Sequence, residues 1–295
     1  MKFVKECVDC SVRQADRTRS LALARRGLDS GSLAEYPDLL REVQAVLAGV
    51  PEHVSPAEIS YYAIAWAMRK FGDPDPYAEL KRESNEEALA IYEHLKEMVR
   101  ESDDPLKTAL LLSVAGNVID LGIQREYDLD ETLRHAMEKG FVIDRTEDLR
   151  RVLAKAKRLL YCCDNAGEIV FDRVLIETIV RVFPHLQVTA VVKSGPVLND
   201  ALMEDAKMVG LDQVCRVIES GYDKLGMVVE DLSEECRAEY ENADTIISKG
   251  QANYESLEHR PENIFCILMA KCPIVADFLG VRFKEMVLTR GTGQS

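Results

Sequence analysis

The spacing of apolar residues changes near residue 156 and divides the chain into two parts. Before that point apolar residues recur three and four positions apart, the period of an amphipathic helix, and no convincing strand pattern occurs. The run beginning at Asp104-Pro105 is apolar nearly all round, which predicts a central buried helix. The sequence therefore predicts an N-terminal α-helical bundle over residues 1–156. Its helices are expected at 56–71 after Ser55-Pro56, at 85–101 with Asn85 as the cap, from 105, and near 130–139 and 146–156.

From residue 158 onwards, short β-branched runs alternate with helical segments, the first of which opens at Glu168. This alternation is typical of a mostly parallel sheet that is covered by helices on both faces. We therefore predict a second domain of the α/β class over residues 157–295. Its strands are expected near 159–164, 187–193, 215–219, 245–248, 264–269 and 286–289.

The composition and net charge of the chain limit the kinds of binding partner that we expect. The chain has 295 residues, 47% of them apolar, and a formal net charge of −14. Nucleic acids and anionic membranes are bound through clustered lysines and arginines, so neither is expected as the main partner. No apolar run approaches the roughly 20 residues that span a bilayer, and the first residues lack the apolar segment of a signal peptide. We expect a cytoplasmic protein that meets any anionic substrate with a few local cations or a metal ion.

The eight cysteines do not follow the pattern of a secreted disulfide framework. Cys7 and Cys10 form a Cys-x-x-Cys pair, which could bind a metal, act as a redox pair or supply packing thiols in a helix. A structural zinc site needs about two more ligands at comparable spacing, and no second such pair occurs. The five histidines show no metal-ligand spacing either.

Polar residues follow the ends of several predicted strands. They are Asp164 and Asn165 after the first, Asp200 after the second, Lys249, Gly250 and Asn253 after another, and Lys271 after an apolar strand. In a parallel sheet these ends lie on one side of the molecule, where ligands bind. Two carboxylates and an amide oxygen suit a hard cation, which favours Mg²⁺ or Mn²⁺, with Co²⁺ or Ni²⁺ as further candidates. The two lysines and the glycine loop are expected to hold a phosphate.

Simpler interpretations of some of these residues stay open. Asp164 could merely cap the following helix while Asn165 fills the turn. Asn117 and Asp120 lie three positions apart at the end of the most apolar helix, so they share a helix face. Such a pair either satisfies itself by hydrogen bonds or faces a cleft. We expect Asn117 and Asp120 to point towards the substrate.

With these residues collected, the chain resembles the metal-dependent damage-control phosphatase family, formerly a domain of unknown function, and most closely its prokaryotic single-module branch. The motifs occur in family order over nearly the whole length: Cys7-Val8-Asp9-Cys10, Gly116-Asn117-x-x-Asp120, Asp164-Asn165-Ala166-Gly167-Glu168, Leu198-Asn199-Asp200, Lys249-Gly250-x-x-Asn253-Tyr254 and Lys271. The resemblance implies an α-helical N-terminal part packed on a Rossmann-like three-layer α/β/α domain, with the active site in the cleft between them. It also implies a metal ion on Asp164, Asn165 and Asp200, with Asn253 and Lys271 at the substrate phosphate.

The function implied by the resemblance is removal of phosphate from small phosphometabolites, including sugar phosphates and damaged cofactor intermediates. Our leading hypothesis is a metal-dependent phosphoric monoester hydrolase with Asp164, Asp200 and Lys271 as catalytic residues. Either water or the Asp164 carboxylate could attack the phosphorus atom. One alternative is a Rossmann-like transferase such as a methyltransferase, against which no Gly-x-Gly-x-x-Gly follows the first strand. The other is a non-catalytic protein that binds a metabolite or a metal.

Overall fold

The computed structural model describes residues 3–29, 31, 37–51, 54–116, 133–134 and 137–294. The candidates Asn117 and Asp120 lie outside the described residues, as does half of the helix predicted near 130–139. In the part that is described, no helix combines the length and the apolar character that a membrane crossing requires.

Helices make up most of the first part of the chain, and two of them begin where the start signals predict. The Ser55 hydroxyl accepts a hydrogen bond from the Glu58 N–H, and the Glu58 carboxylate accepts one from the Ser55 N–H, which closes a capping box. Asp104 caps the most buried helix by accepting a hydrogen bond from the Lys107 N–H at 3.1 Å. The bounds are α1 (Lys5–Arg25), α2 (Pro37–Ala48), α3 (Pro56–Phe71), α4 (Ala78–Ala90), α5 (Tyr92–Glu101) and α6 (Pro105–Ala115).

The single helix predicted over 85–101 is wrong. Helix α4 begins earlier, at Ala78, and the chain turns at Ile91 before α5 starts. Asn85 is therefore not a cap but a fully buried residue inside α4. Its side chain makes hydrogen bonds to residues far along the chain, and a local capping pattern cannot distinguish that role.

A central sheet contains seven strands among the described residues, in the order β1-β7-β6-β5-β2-β3-β4. The strands are β1 (Ile143–Asp144), β2 (Arg158–Cys162), β3 (Gln187–Val192), β4 (Arg216–Glu219), β5 (Thr245–Lys249), β6 (Ile264–Met269) and β7 (Met286–Arg290). Only the β6–β7 pair is antiparallel within this sheet, which confirms the predicted mostly parallel α/β class. The prediction that no strand precedes residue 157 is wrong, because β1 pairs with β7. With two residues, β1 is too short to leave a periodic pattern.

Helices cover both faces of the sheet and give three layers. They are α7 (Thr146–Leu153), α8 (Glu168–Val182), α9 (Met203–Met208), α10 (Glu234–Asn242), α11 (Gln251–Leu257) and α12 (Pro273–Leu279). On one face a single apolar cluster joins β2, β3 and α8 to α5 and α6, with Leu110 and Phe171 fully buried. On the other face a second cluster lies beneath α10, α11 and α12. Because the first cluster runs from the helical part into the sheet, the predicted boundary between residues 156 and 157 stays a prediction.

Helix α3 packs over the edge of the sheet at which the strands end. Its residues Ala57 and Ile64 form a small buried cluster with Val197, from the loop after β3, and Leu225, from the loop after β4. The helical part therefore covers the edge where ligands bind in parallel sheets.

Candidate functional site

The loops after β2 and β3 lie side by side because these two strands are neighbours in the sheet. The backbone of Asn165 forms an isolated antiparallel bridge with that of Asp200. The Ala201 N–H donates to the Asp164 carbonyl oxygen at 2.8 Å and ties the loops together. Both carboxylates are nearly enclosed, since Asp164 is 8% exposed and Asp200 4%. The structure therefore joins three of the predicted site residues in one place.

Asp200 follows a turn with an unusual backbone. Leu198 has a φ of 48°, in the left-handed region that a leucine rarely adopts. The Leu198 side chain packs against the cluster formed by Val197 and the α3 residue Ile64, and this packing holds the residue in its unfavourable conformation. Helix α3 therefore helps to place the Asp200 carboxylate.

The amide group of Asn165 has a defined orientation. Its Nδ2 donates to Asp164 Oδ2 at 2.7 Å and to Glu168 Oε2 at 3.2 Å. An amide oxygen turned towards two carboxylates would be repelled, so the NH₂ group has to face them. The NH₂ end of the Asn165 amide therefore faces these two carboxylates, and Oδ1 is the end that could bind a cation.

Burial shifts both aspartates towards their protonated forms. It raises the pKa of Asp164 to about 6, with the charge of Glu168 adding to the rise and that of Lys271 opposing it. It raises the pKa of Asp200 to about 8, although the nearby Lys193 ammonium opposes this rise. A cation bound between the two carboxylates would lower both pKa values, because it favours the charged forms.

Lys193 belongs to this site and was missed in the sequence. It directly follows β3, and its Nζ lies 3.9 Å from Asp200 Oδ2, donates to the Gly226 carbonyl oxygen and stands 5.2 Å from the centre of the Tyr222 ring. Burial lowers the pKa of Lys193, and the charge of Asp200 opposes that shift. The rule that identified Asp164, a polar residue at the end of a parallel strand, applies equally to Lys193.

Lys249 differs from the expectation that it contacts a phosphate. It is the last residue of β5, its side chain is fully buried, and its Nζ donates to Glu168 Oε1 at 2.7 Å, Asp172 Oδ1 at 2.5 Å and the Ser113 carbonyl oxygen at 2.9 Å. Burial alone would lower the pKa of Lys249, but Asp172 and Glu168 raise it, so the group is an ammonium ion. With all three of its donors used inside the protein, Lys249 lies behind the site rather than in it.

The glycine loop also serves a different purpose from the one predicted. The Gly250 N–H donates to the Ile267 carbonyl oxygen at 3.0 Å, so the sheet already uses the group that was expected to meet a phosphate. At Gly250, φ is 81°, and a Cβ atom would lie 2.0 Å from Asp164 Oδ2. Asn253 is buried and donates from Nδ2 to the carbonyl oxygens of Cys163 and Lys249. These residues fix the Asp164 loop against the end of β5.

Lys271 is where the sequence places it, at the end of β6. Its side chain is exposed at the rim of the site. Its backbone N–H donates to Gln251 Oε1 at 2.9 Å, which links the loop after β6 to the start of α11. The Lys271 charge is one of those that oppose the rise in the pKa of Asp164 caused by burial. Of the lysines discussed here, Lys271 is therefore the one that a substrate can reach from solvent.

Helix α4 reaches the site from the helical part. The Asn85 Oδ1 accepts from the Gly167 N–H and its Nδ2 donates to Asp205 Oδ1, each at 2.7 Å. Gly167 belongs to the turn that follows Asp164, so Asn85 holds that turn from the outside. One turn earlier, the buried Lys81 forms an ion pair with Asp75 at 2.8 Å. The two Asn85 contacts have no local sequence signal, because Asn85 lies 82 positions from Gly167 and 120 positions from Asp205.

The residues present fit a divalent cation. Four buried carboxylates accompany two buried ammonium groups at this centre: Asp164, Glu168, Asp172 and Asp200 with Lys193 and Lys249. These carboxylates outnumber the ammonium groups, and a bound cation would favour their ionised forms. Within the described residues no three His, Cys, Asp or Glu side chains are grouped as a metal site. The set here has two carboxylates with the Asn165 amide as third donor, and such oxygen ligands suit Mg²⁺ or Mn²⁺.

Two other features stand apart from this centre. A cavity of about 610 Å³ beyond the end of β4 is lined by Glu219, Glu234 and Glu235 together with small residues, and none of the predicted site residues lines it. Cys7 is buried and Cys10 partly buried, and both are free thiols. A metal-binding or redox role for this pair stays a prediction.

Comparison with known proteins identifies relatives over nearly the whole chain. The sequence matches the damage-control phosphatase ARMT1-like domain over residues 3–287. It is 33% identical over 294 residues to a damage-control phosphatase of Pyrococcus horikoshii, with 98% of each chain covered. It is 37% identical over 222 residues to a damage-control phosphatase of Archaeoglobus fulgidus, covering 73% of this chain and 76% of the other. A crystal structure of a DUF89 family protein from Pyrococcus horikoshii superposes with a TM-score of 0.89 at 31% identity, covering 99% of this chain and 100% of that one.

Proposed function

The chain belongs to the damage-control phosphatase ARMT1-like domain family, and from that premise we propose that it is a divalent-metal-dependent phosphatase acting on small phosphorylated metabolites. The observation that carries the proposal is the meeting of two enclosed carboxylates, Asp164 and Asp200, with an oriented amide at the sheet edge. The substrates we propose are sugar phosphates or other phosphate esters that arise as damaged or side products. They would enter the cleft between the helical part and the α/β part.

Each residue has a distinct task in this proposal. Asp164, Asn165 and Asp200 would hold the cation, which when bound neutralises phosphoryl oxygens and supports attack on phosphorus. Lys271 would bind the substrate phosphate from the rim and stabilise the charge that develops on the transferring group. Lys193 would favour the ionised form of Asp200 and help to hold it in place. Hydrolysis breaks the ester P–O bond, transfers the phosphoryl group to water or first to Asp164, and leaves the alcohol to take up a proton.

The test is release of inorganic phosphate from sugar phosphates and from a generic aryl phosphate. The protein is first stripped with a chelator, and Mg²⁺, Mn²⁺, Co²⁺ or Ni²⁺ is then restored one at a time. We expect turnover only after restoration, and little or none with Asp164→Asn. Full activity after exhaustive chelation would contradict the proposed metal dependence. Calorimetric metal binding without release from any ester would instead indicate a non-catalytic metal-binding protein.

A further inference from the structure

Behind the candidate metal ligands lies a chain of hydrogen bonds that begins at Lys249 and ends at Asn165. Lys249 donates to Glu168 Oε1 at 2.7 Å, and the other oxygen of the same carboxylate, Oε2, accepts from Asn165 Nδ2 at 3.2 Å. Glu168 is only 2% exposed, so water does not compete appreciably for either oxygen. The two oxygens of one buried carboxylate therefore connect an ammonium ion to an amide.

The position of Lys249 is fixed from three directions. Besides Glu168 it binds Asp172 Oδ1 and the carbonyl oxygen of Ser113, the latter from α6 in the helical part. An ammonium ion that is enclosed and uses all its donors has little freedom to move. It consequently holds Glu168 in a single orientation.

Asn165 needs such support because an amide has two unlike ends. Rotation by 180° about its last bond exchanges oxygen and NH₂ and would present hydrogen atoms, rather than a lone pair, to a cation. Asp164 alone does not fix the orientation of the Asn165 amide firmly. Its Oδ2 accepts the hydrogen bond from Asn165, but it also belongs to a side chain that is itself a candidate metal ligand. Glu168 supplies a second acceptor that is not a candidate ligand.

We propose that Glu168 and Lys249 are positioning residues that orient the Asn165 amide so that its oxygen faces the metal. The inference rests on the proposed function. It assigns Lys249 an indirect task in place of the phosphate contact expected from the sequence. Replacing groups that orient a metal ligand typically lowers metal affinity by about 10- to 100-fold.

A double-mutant cycle tests the inference, with the affinity of the full-length protein for Mn²⁺ alone as the readout, measured by titration calorimetry. In Glu168→Gln the new NH₂ group opposes that of Asn165, so the amide is expected to turn and Mn²⁺ affinity to fall about 10- to 100-fold. In the Asn165→Asp background both ends of the ligand are oxygens. There Glu168→Gln should not lower the affinity, because its NH₂ group can donate to the introduced carboxylate.

A general charge effect makes a different forecast. If Glu168 acted only through its negative charge, Glu168→Gln would weaken binding equally in both backgrounds, and that additivity would overturn the inference. Asp172→Asn is the matched control, because it neutralises another carboxylate on the same ammonium ion without touching Asn165. Because Asp172 also helps to fix Lys249, we expect the Mn²⁺ affinity of this control to fall, but by clearly less than in Glu168→Gln. An equal loss in Asp172→Asn and Glu168→Gln would contradict the inference.

A second measurement uses the wild-type chain and does not require Glu168→Gln to fold. The side-chain NH₂ resonances of Asn165, identified by their loss in Asn165→Asp, should be protected from solvent exchange and remain protected when Mg²⁺ is added. Exchange as rapid as that of exposed asparagines would refute the inference. Absence of any Mn²⁺ binding by wild type would refute the proposed function, whereas binding with an additive cycle would refute only this inference.

Discussion

Gly250→Ala tests whether the Asp164 carboxylate has to stay where the structure places it. At Gly250, φ is 81° and ψ is 167°, a region that is essentially restricted to glycine, so alanine should cost about 1–3 kcal/mol of unfolding free energy. The added Cβ would lie 2.0 Å from Asp164 Oδ2, and the carboxylate would have to retreat by about 1.5 Å to reach ordinary contact distance. Metal–oxygen bonds to Mg²⁺ tolerate only tenths of an ångström. We therefore expect Mn²⁺ affinity to fall at least about tenfold.

The measurement combines calorimetric Mn²⁺ titration with thermal unfolding in metal-free buffer. Gly280→Ala is the matched control, since Gly280 has a φ of 70° and a Cβ there would meet nothing within 4 Å. Both variants should lower the melting temperature, by about 2–4 °C per kcal/mol of strain, but only Gly250→Ala should lose metal affinity. Wild-type Mn²⁺ affinity in a folded Gly250→Ala protein would refute the assignment of Asp164 as a ligand that needs this position.

Three further predictions address single side chains. Asp200→Asn keeps the shape and removes a charge that burial disfavours, so it should weaken Mn²⁺ binding strongly without lowering the metal-free melting temperature; wild-type affinity by calorimetry would make Asp200 a turn residue. Lys271→Met should lower turnover by about 10²–10³-fold at saturating metal with metal affinity retained, and near-normal steady-state rates would remove Lys271 from the site. Burial raises the pKa of Glu255 from 4.5 to about 7, so its charged form opposes folding and the native state loses stability as pH rises through this window. Glu255→Gln should abolish that loss, so its free energy of unfolding should gain on that of wild type by up to about 3 kcal/mol above pH 7 and by nothing below pH 4.5. If the melting temperatures of the two proteins changed in parallel from pH 4 to 8, the prediction would be wrong.

The residues that the sequence placed well are those whose position follows from the direction of parallel strands. Asp164, Asp200 and Lys271 come after the ends of β2, β3 and β6, and side chains at such ends gather at one edge whatever the rest of the fold. Lys193 obeys the same rule and could have been found. The strand β1 could not have been found, because a strand of two residues is too short to show an alternation of apolar and polar positions.

Lys249 shows where the strand-end rule fails. It is still inside β5, so its side chain points towards one face of the sheet rather than beyond its edge. That face is covered by α6 and α8, which supply Ser113 and the carboxylates of Glu168 and Asp172. Whether a side chain lies in the site or behind it thus depends on the exact residue at which the strand ends. The hydrophobic pattern of the sequence does not predict strand ends to within one residue.

The helical part contributes contacts that hold the site loops in place, besides covering the edge of the sheet. Asn85 holds the Gly167 N–H in the turn after Asp164, the Ser113 carbonyl oxygen anchors Lys249, and α3 packs against Leu198 in the turn before Asp200. A rigid movement of the helices away from the sheet would break all three contacts together. Each contact bears on a loop that carries a candidate metal ligand, or on the residue that orients one. The arrangement of the carboxylates and the amide therefore depends on the packing of both parts of the chain, and a local stretch of sequence does not specify the site.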